Sequence, residues 1–243
     1  MNLNEQFAGE ELDRSVWLPC YLPHWSSRAA SAATYQVRDG ELRLSIPPSQ
    51  GLWAEGVHET PLRVSCIQSA NFSGPVGSTV GGQPFVTNQL VTEEQATFWG
   101  YTPHCGHVEI RMRGEVSPRS MVAFWMSGIE DEPHRSGEIC VMEAFGDATA
   151  IGIGLHKFRD PALTEEWSAL ELGIDIAEFH TYAVDWRPGS LVFSVDGDEV
   201  RRVDQAPDYP VQLELGVFDF PDKPGPADHT PALIVSHVIG HSL

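Results

Sequence analysis

Gly137-Glu138-Ile139-Cys140-Val141-Met142-Glu143 is a short run of strand-forming residues that carries two glutamates and one thiol. In a straight strand the side chains alternate between faces, so Glu138 and Cys140 would point one way and Glu143 the other. One extra residue, a β-bulge near Val141-Met142, brings all three onto one surface and leaves the apolar residues between them to a core. The segment therefore predicts a bulged strand with two carboxyl groups on one face.

The paired carboxyl groups of this strand have a chemical interpretation and a plain one. Two carboxyls about 5 to 5.5 Å apart are what a retaining glycosidase uses, one as nucleophile and one as general acid and base. The plain alternative is a half-buried strand with two solvated glutamates. The residues on either side of the strand decide between the two.

Alternating apolar residues and turn signals extend in both directions from this strand. Tyr35–Ile46 and Leu191–Val200 each contain two alternating runs around an Asp-Gly pair, which predicts a β-hairpin. Residues 65–94 and 220–231 are rich in glycine or proline and predict loops beside a binding site. One short helix is predicted at residues 163–172. Further short strands are predicted at 107–113, 121–126, 137–143, 151–156, 181–186, 211–217 and 233–239.

Many short strands without a long amphipathic stretch indicate an all-β protein, a β-sandwich or jelly roll. The chain has 243 residues, a length at which such a fold often forms one domain, and we expect residues 1–243 to do so. A core of this size needs no disulfide bonds. The four cysteines, at widely and irregularly spaced positions, therefore need not be paired.

Segments on both sides of the central strand carry a family pattern. In chain order they are Thr97–Tyr101, Gly106–Arg111, Ala123–Met126, Ser136–Glu143, Gly154–His156 and Phe179–Trp186. In that order and spacing the chain resembles the family 16 glycoside hydrolases, the laminarinase and β-glucanase group. The resemblance also takes in Phe7–Asp13, Val16-Trp17 and the Asp196-Gly197 turn, so it spans nearly the whole chain.

The resemblance implies a concanavalin A-like jelly roll and a retaining hydrolase of a β-linked polysaccharide, an endo-β-glucanase or a transglycosylase with the same covalent intermediate. It implies Glu138 as the nucleophile, which has to be ionised, and Glu143 as the acid/base, which has to be protonated in the free enzyme. It also implies a substrate-binding shell formed by Trp125, His156, His107, Trp99 and Met121. For the two tryptophans, stacking on the apolar faces of sugars and burial in the core both stay open, and His156 can equally be structural.

The chain departs from the family pattern at four places. Cys140 stands where the family usually has an aspartate that lies beside the nucleophile and helps to set its protonation. Met121-Val122 replaces the usual Trp-Pro, His107 replaces an arginine, and Gly216 is the expected counterpart of an asparagine. These departures imply a rewritten sugar-contacting shell around two retained glutamates.

Two other chemistries are possible at these residues. Cys140 could be a thiolate nucleophile with His156 as its base, but two flanking glutamates raise the pKa of a thiol and work against that role. His104-Cys105-Gly106-His107 offers zinc-type ligands but lacks a second spaced pair. We expect neither a metal nor another cofactor.

The charge of the chain limits its partners. Thirty-four acidic against fifteen basic residues give a net charge of −19, which disfavours nucleic acid and anionic membrane surfaces. A neutral polysaccharide or oligosaccharide meets no such penalty, and we expect the protein to bind one. We also expect the protein to be a monomer. The N-terminus has no basic and apolar leader pattern, and no run approaches the roughly 20 apolar residues of a membrane span. A cytoplasmic location follows for the chain as written, and secretion if a leader was removed.

The principal alternative to a hydrolase is a carbohydrate-binding protein of the same fold without turnover, because a fold does not fix a function. A scaffold or interaction module is a third possibility. Retention of both glutamates at bulged spacing favours the hydrolase, since binding alone does not need the pair.

Overall fold

The computed structural model describes residues 2–146 and 148–242, and their regular structure is almost entirely β-strand, as predicted. One short 3-10 helix spans Pro23–Trp25. The strands, in chain order, are β1 (Leu3–Glu5), β2 (Tyr35–Arg38), β3 (Glu41–Ser45), β4 (Arg63–Gln68), β5 (Ala70–Asn71), β6 (Phe98–Trp99), β7 (Gly106–Glu115), β8 (Ser120–Gly128), β9 (Glu138–Phe145), β10 (Ile151–His156), β11 (Glu166–Leu170), β12 (His180–Arg187), β13 (Ser190–Val195), β14 (Asp198–Val203), β15 (Val211–Asp219) and β16 (Ala232–His241).

The strands form a β-sandwich of two antiparallel sheets. The outer sheet has the order β14-β13-β12-β7-β16-β3-β2, with β1 also paired to β16. The second sheet, called the site sheet below, has the order β11-β10-β9-β8-β15-β4. Strands β5 and β6 form a separate two-stranded pair. The jelly-roll expectation is confirmed by this architecture.

The main core lies between the two sheets and follows from the alternation of side chains along each strand. Apolar residues of β7 and β16 face apolar residues of β8, β9 and β15 across it. The residues at its centre include Ile110, Met112, Phe124, Met126, Ile139, Met142, Leu213, Leu215, Leu233 and Val235.

A second apolar cluster covers part of the opposite face of the site sheet, which is called the site face below. It joins side chains from β4, β8 and β15 to segments that precede β4, and its larger members are Trp25, Trp53, Leu62, Met121, Trp125 and Phe218. As a result, all nine residues of β8 and all nine of β15 are buried. Among the described strands of the site sheet, those with exposed or partly exposed residues are β9, β10 and β11.

The two hairpins predicted from Asp-Gly pairs are present as β2/β3 and β13/β14. Both residues of each pair have positive φ: 55° and 78° at Asp39-Gly40, and 51° and 89° at Asp196-Gly197. Two consecutive positive φ angles are the requirement of the tight turn that matches strand twist.

Two local expectations were wrong. Residues 163–172 contain no helix; instead β11 pairs antiparallel with β10, because Gly152 leaves room for the Trp167 ring, whose nearest carbon would lie 2.5 Å from a Cβ at that position. Within the predicted loop at 65–94, residues 65–68 belong to the buried strand β4 and residues 70–71 form β5. The loop at 220–231 is present between β15 and β16.

Candidate active site

A bulge at Val141 places the two glutamates of β9 on the site face. Phe124 of β8 pairs with Met142, while the next residue, Trp125, pairs with Cys140, so Val141 has no partner of its own. The extra residue restores the alternation that a straight strand would break. The bulge predicted between Cys140 and Glu143 is therefore present.

Neighbouring strands bring polar and aromatic residues into register with β9. Three rows cross the site sheet: His156, Glu138, Ser127 and Gln212; then Gly154, Cys140, Trp125 and Glu214; then Gly152, Glu143, Ala123 and Gly216. Directly paired residues of adjacent strands share a face and have Cβ atoms about 5 Å apart. The second row therefore adds a third carboxyl group, that of Glu214, to the site face.

Glu138, Cys140 and Glu143 line one cavity of about 160 Å³. Its remaining wall is formed by Tyr21, Gln83, Met121, Ala123, Trp125 and Phe218. A larger hollow of about 520 Å³ lies at the other end of β9, beside residues 171–177, but neither glutamate of β9 lines it. The smaller cavity is the candidate active site because the paired carboxyl groups meet there.

Aromatic side chains form the wall of the cavity on the side of β8 and β15. The Tyr21 ring lies edge-on to Phe218, with centroids 5.5 Å apart, and to Trp125, at 6.2 Å. Trp125 is only 6% exposed, and its indole packs in the second cluster, so its burial is confirmed. The indole also borders the cavity, and its stacking on a sugar stays a prediction. Apolar ring surfaces of this kind suit the C–H faces of a sugar.

The surroundings of the two glutamates favour their neutral forms. Burial raises the pKa of Glu138 well above its usual value, and the charges of Glu214, Glu143 and Glu165 raise it further. Burial also raises the pKa of Glu143, opposed by the charge of His156. The expectation of a protonated Glu143 agrees with this environment, whereas the expectation of an ionised Glu138 in the free protein does not.

Cys140 is buried, and its environment opposes a thiolate. Burial raises the pKa of the thiol, and the carboxylates of Glu143 and Glu138 raise it further. The thiol donates to the carbonyl oxygen of Gly152 over 3.5 Å. The proposed base, His156, is engaged elsewhere: its Nδ1 lies 2.5 Å from Oε1 of Glu165. These contacts argue against the thiolate mechanism.

Of the five residues expected to bind substrate, the structure brings Trp125 and Met121 to the cavity wall and His156 next to Glu138 in register. His107 is elsewhere: it lies on β7 of the outer sheet and contacts Asp185 and Glu109. Alternate residues of β7 face the core, and His107 is on the opposite, partly exposed face. Trp99 belongs to the β5/β6 pair, is 48% exposed and does not line the cavity.

Sequence reasoning missed several residues of the site. Glu214 was hidden within an apolar strand, where Gly216 had been assigned as the counterpart of the family asparagine. Gln83 comes from the 65–94 loop, and Tyr21 from a segment with no regular structure. Trp167 does not line the cavity, but its ring stacks on His156 with centroids 5.2 Å apart. The Gly152-Ile153-Gly154 pattern could have pointed to it, since glycines in a strand mark a close approach.

Within residues 2–146 and 148–242, no three His, Cys, Asp or Glu side chains are grouped so as to hold a metal ion. The same residues include no helix of the length and apolarity that a membrane crossing requires.

The model of the family described as "Glycosyl hydrolases family 16" matches residues 97–225 of the chain. A search of curated protein sequences found no significant match to the chain. The matched segment begins one residue before β6 and ends in the loop after β15, so it contains β8, β9 and β15 with their carboxyl groups.

Solved structures share this fold. The GlcNAcα1-4Gal-releasing endo-β-galactosidase from Clostridium perfringens superposes with a TM-score of 0.81 at 24% identity, over 98% of this chain and 61% of that one. A laminarinase from Flavobacterium sp. UMI-01 has a TM-score of 0.69 at 17% identity, over 99% of both chains. A β-1,3-1,4-glucanase derived from a mouse hindgut metagenome has 0.67 at 16% identity, over 100% of both. The chain thus spans about three fifths of the first of these proteins and the full length of the other two.

Proposed function

Because this chain belongs to the glycosyl hydrolases of family 16, we propose that it cleaves a β-linked polysaccharide with retention of configuration, using Glu138 as nucleophile and Glu143 as general acid and base. Membership of the family supports its assignment as a glycoside hydrolase, an enzyme that acts on O-glycosyl bonds. The retaining mechanism, the substrate and the roles of the two glutamates are the proposed part.

The observation that carries the proposal is the bulge at Val141. Without that extra residue Glu143 would face the main core; with it, Glu138 and Glu143 line the same cavity. Their rows are separated by four residues of β8, roughly 13 Å between backbones at 3.3 Å per residue. Two glutamate side chains that converge over Cys140 can bring their carboxyl groups much closer than that.

In the proposed reaction Glu143 gives its proton to the glycosidic oxygen as the bond to the anomeric carbon breaks. The Glu138 carboxylate forms a bond to that carbon, giving a glycosyl-enzyme ester. Glu143, now ionised, takes a proton from water, whose oxygen displaces Glu138 and restores both groups. The raised pKa of Glu143 suits the first step, since the acid must hold its proton until the substrate arrives.

Cys140, in the position that the family usually gives to an aspartate, is part of the same proposal. Its buried thiol donates to the carbonyl oxygen of Gly152, so it gives Glu138 no hydrogen bond in place of the one that a protonated carboxyl group could supply. Because burial and the neighbouring carboxylates keep the thiol neutral, it adds no charge to the cavity. The site therefore keeps the two reacting groups and changes the group that lies between them.

A cavity of about 160 Å³ is small beside the roughly 300 to 1,000 Å³ of sites for drug-sized ligands. It suits one part of a polymer, while neighbouring sugars lie outside it. We propose an endo-acting β-glucanase that is a monomer formed by one domain over residues 1–243 and acts on a neutral glycan. A β-galactoside-containing glycan is the second candidate, favoured by the TM-score of 0.81 with the endo-β-galactosidase.

The test is product analysis on β-1,3-, β-1,4- and mixed-linkage glucans and on galactans. NMR of the first products reports the anomeric configuration directly, and retention is expected. Glu138→Gln should abolish turnover and leave binding of the cleaved glycan largely intact, because the amide keeps the shape and hydrogen-bonding capacity of the carboxyl group.

Glu199→Gln is a matched control, since this exposed glutamate of β14 makes its contacts with Arg202 on the outer sheet. It should retain full activity. Inverted products, or a Glu138→Gln variant that turns over as well as wild type, would contradict the proposal. Binding without turnover across the whole panel would instead favour the carbohydrate-binding alternative.

A further inference from the structure

Glu214 is a fully buried acid that the reaction described above does not use. It lies on β15, paired with Trp125 of β8, and its exposed fraction is 0%. Trp125 pairs on its other side with Cys140 of β9, so Glu214 shares a row with the residue between the two glutamates. A buried carboxyl group needs partners, and those of Glu214 reveal its relation to the site.

The hydrogen bonds of Glu214 all reach one of its two oxygens. Oε2 accepts from the Ser127 hydroxyl at 2.5 Å and from Nε2 of Gln83 at 2.7 Å. Oε1 is buried and accepts no hydrogen bond of normal geometry, although the Trp125 indole lies close enough to favour the ionised form. Ser127 is the residue directly opposite Glu138, and Gln83 lines the cavity.

The titratable groups around Glu214 are acids. Burial is the main reason that the pKa values of Glu138 on β9, Cys66 on β4 and Tyr21 in the cavity wall are raised, and the charge of Glu214 raises each of them further. Burial raises the pKa of Glu214 itself to about 7, against the lowering effect of the hydrogen bonds from Ser127 and Gln83. A charged Glu214 therefore opposes ionisation of Glu138, and two carboxyl groups coupled in this way lose their protons as a pair.

We propose that Glu214 is a positioning residue for the nucleophile, sharing with Glu138 a single negative charge on the site face. In one form the charge lies on Glu214, where Ser127 and Gln83 donate to it, and Glu138 is neutral and cannot attack. In the other the proton lies on Glu214 and the Glu138 carboxylate is free to react. The inference rests on the proposed function for its consequence in catalysis.

This arrangement accounts for the conflict between the role of Glu138 and its surroundings. Cys140 is neutral and does not affect the charge of Glu138, so control of the nucleophile passes to a carboxyl group two strands away. Hydrogen bonds from Ser127 and Gln83 favour the form with the charge on Glu214. As a result, the Glu138 carboxyl group ionises at a higher pH than it would without Glu214.

Glu214→Gln tests the proposal through the pH dependence of kcat/KM. The amide removes the competing site for the charge, so Glu138 ionises at lower pH and the acid limb should move down by about one pH unit or more. Below the wild-type limb, kcat/KM should rise about tenfold, since one pKa unit is a factor of ten in the ionised fraction. Ser127→Ala, which removes one donor to Glu214, should move the limb in the same direction by less.

A purely structural role for Glu214 would give a different result, a loss of kcat/KM at every pH with the limb in place. That outcome would overturn the proposal. Glu199→Gln, which makes the same change in net charge far from the site, should leave the limb unmoved. If Glu214→Gln does not fold, Ser127→Ala is the test. An acid limb of kcat/KM at the wild-type pH in that variant would refute the inference.

A second measurement separates this inference from the proposed function. The free energy of unfolding is followed between pH 4.5 and 8 for wild type, Glu138→Gln, Glu214→Gln and the double variant. The stability contribution of a raised carboxyl pKa is present below pH 4.5 and is lost as the pH rises through the folded-state pKa. If Glu138 and Glu214 share one charge, the slope of unfolding free energy against pH in the double variant should differ from the sum of the changes in the two single variants. A change equal to that sum would overturn the inference. The result does not depend on whether the protein turns over a glycan.

Discussion

Asp219 holds together three segments at the end of the site sheet, and its removal should cost much stability. Its carboxylate accepts from Arg63 at 2.9 and 2.6 Å and from Arg119 at 2.8 and 3.0 Å. The side chain of Asp219 is 2% exposed, that of Arg63 9% and that of Arg119 8%. In Asp219→Asn two buried guanidinium groups lose their counter-charge.

The size of the effect follows from burial. Removing one partner of a buried ion pair costs about 3–5 kcal/mol, because the remaining charge is left unpaired away from water. For a protein of this size each kcal/mol corresponds to about 2–4 °C in Tm, so a loss of roughly 6–20 °C is expected. Thermal unfolding followed by circular dichroism or calorimetry measures it.

Glu115 provides a control with the same chemistry near the surface. It accepts from Arg43 at 2.7 Å and from Arg113 at 2.8 Å, but its side chain is 35% exposed. Solvent and salt screen such a pair, so Glu115→Gln should cost about 0–1 kcal/mol. Equal losses in Asp219→Asn and Glu115→Gln would refute the claim that burial decides the stability contribution.

Three further predictions concern the active site. Glu143→Ala should lose most activity on natural glycans and regain part of it on substrates with good leaving groups, whose departure needs less protonation; equal loss on both would remove Glu143 as the acid. Cys140→Ala should retain most activity, because a buried neutral thiol is only a weak donor, while Cys140→Asp should shift the pH profile of kcat/KM; an inactive but folded Cys140→Ala would give the thiol a chemical role. The charge of His156 lowers the pKa of Glu143, so His156→Gln should raise that pKa and move the basic limb of kcat/KM to higher pH; an unmoved limb would contradict the coupling.

The sequence predicts the fold well where local rules are decisive. Asp39-Gly40 and Asp196-Gly197 specify their turns by backbone conformation alone, and the hairpins follow. The bulge at Val141 could be placed because two carboxyl groups and three apolar residues cannot all be satisfied on a regular strand. In each case a few adjacent residues are sufficient to specify the local backbone structure.

The site was less predictable wherever it depends on contacts between distant segments. Glu214 and Gln83 lie 131 positions apart, and only the folded chain brings them together. His107 was misplaced because its strand is correctly predicted while the sheet that contains the strand is not specified by alternation. Residues 163–172 have helix-compatible composition, and only the pairing with β10 makes β11 a strand.

The burial of β8 and β15 on both faces has a consequence for how the protein opens. Amide protons of strands covered on both sides exchange with solvent only through global unfolding, whereas edges and loops open locally. Trp125, Ser127 and Glu214 lie on these two strands. On heating, these three side chains are therefore expected to keep their positions until the whole sandwich melts, while the loop that contains Gln83 can open earlier.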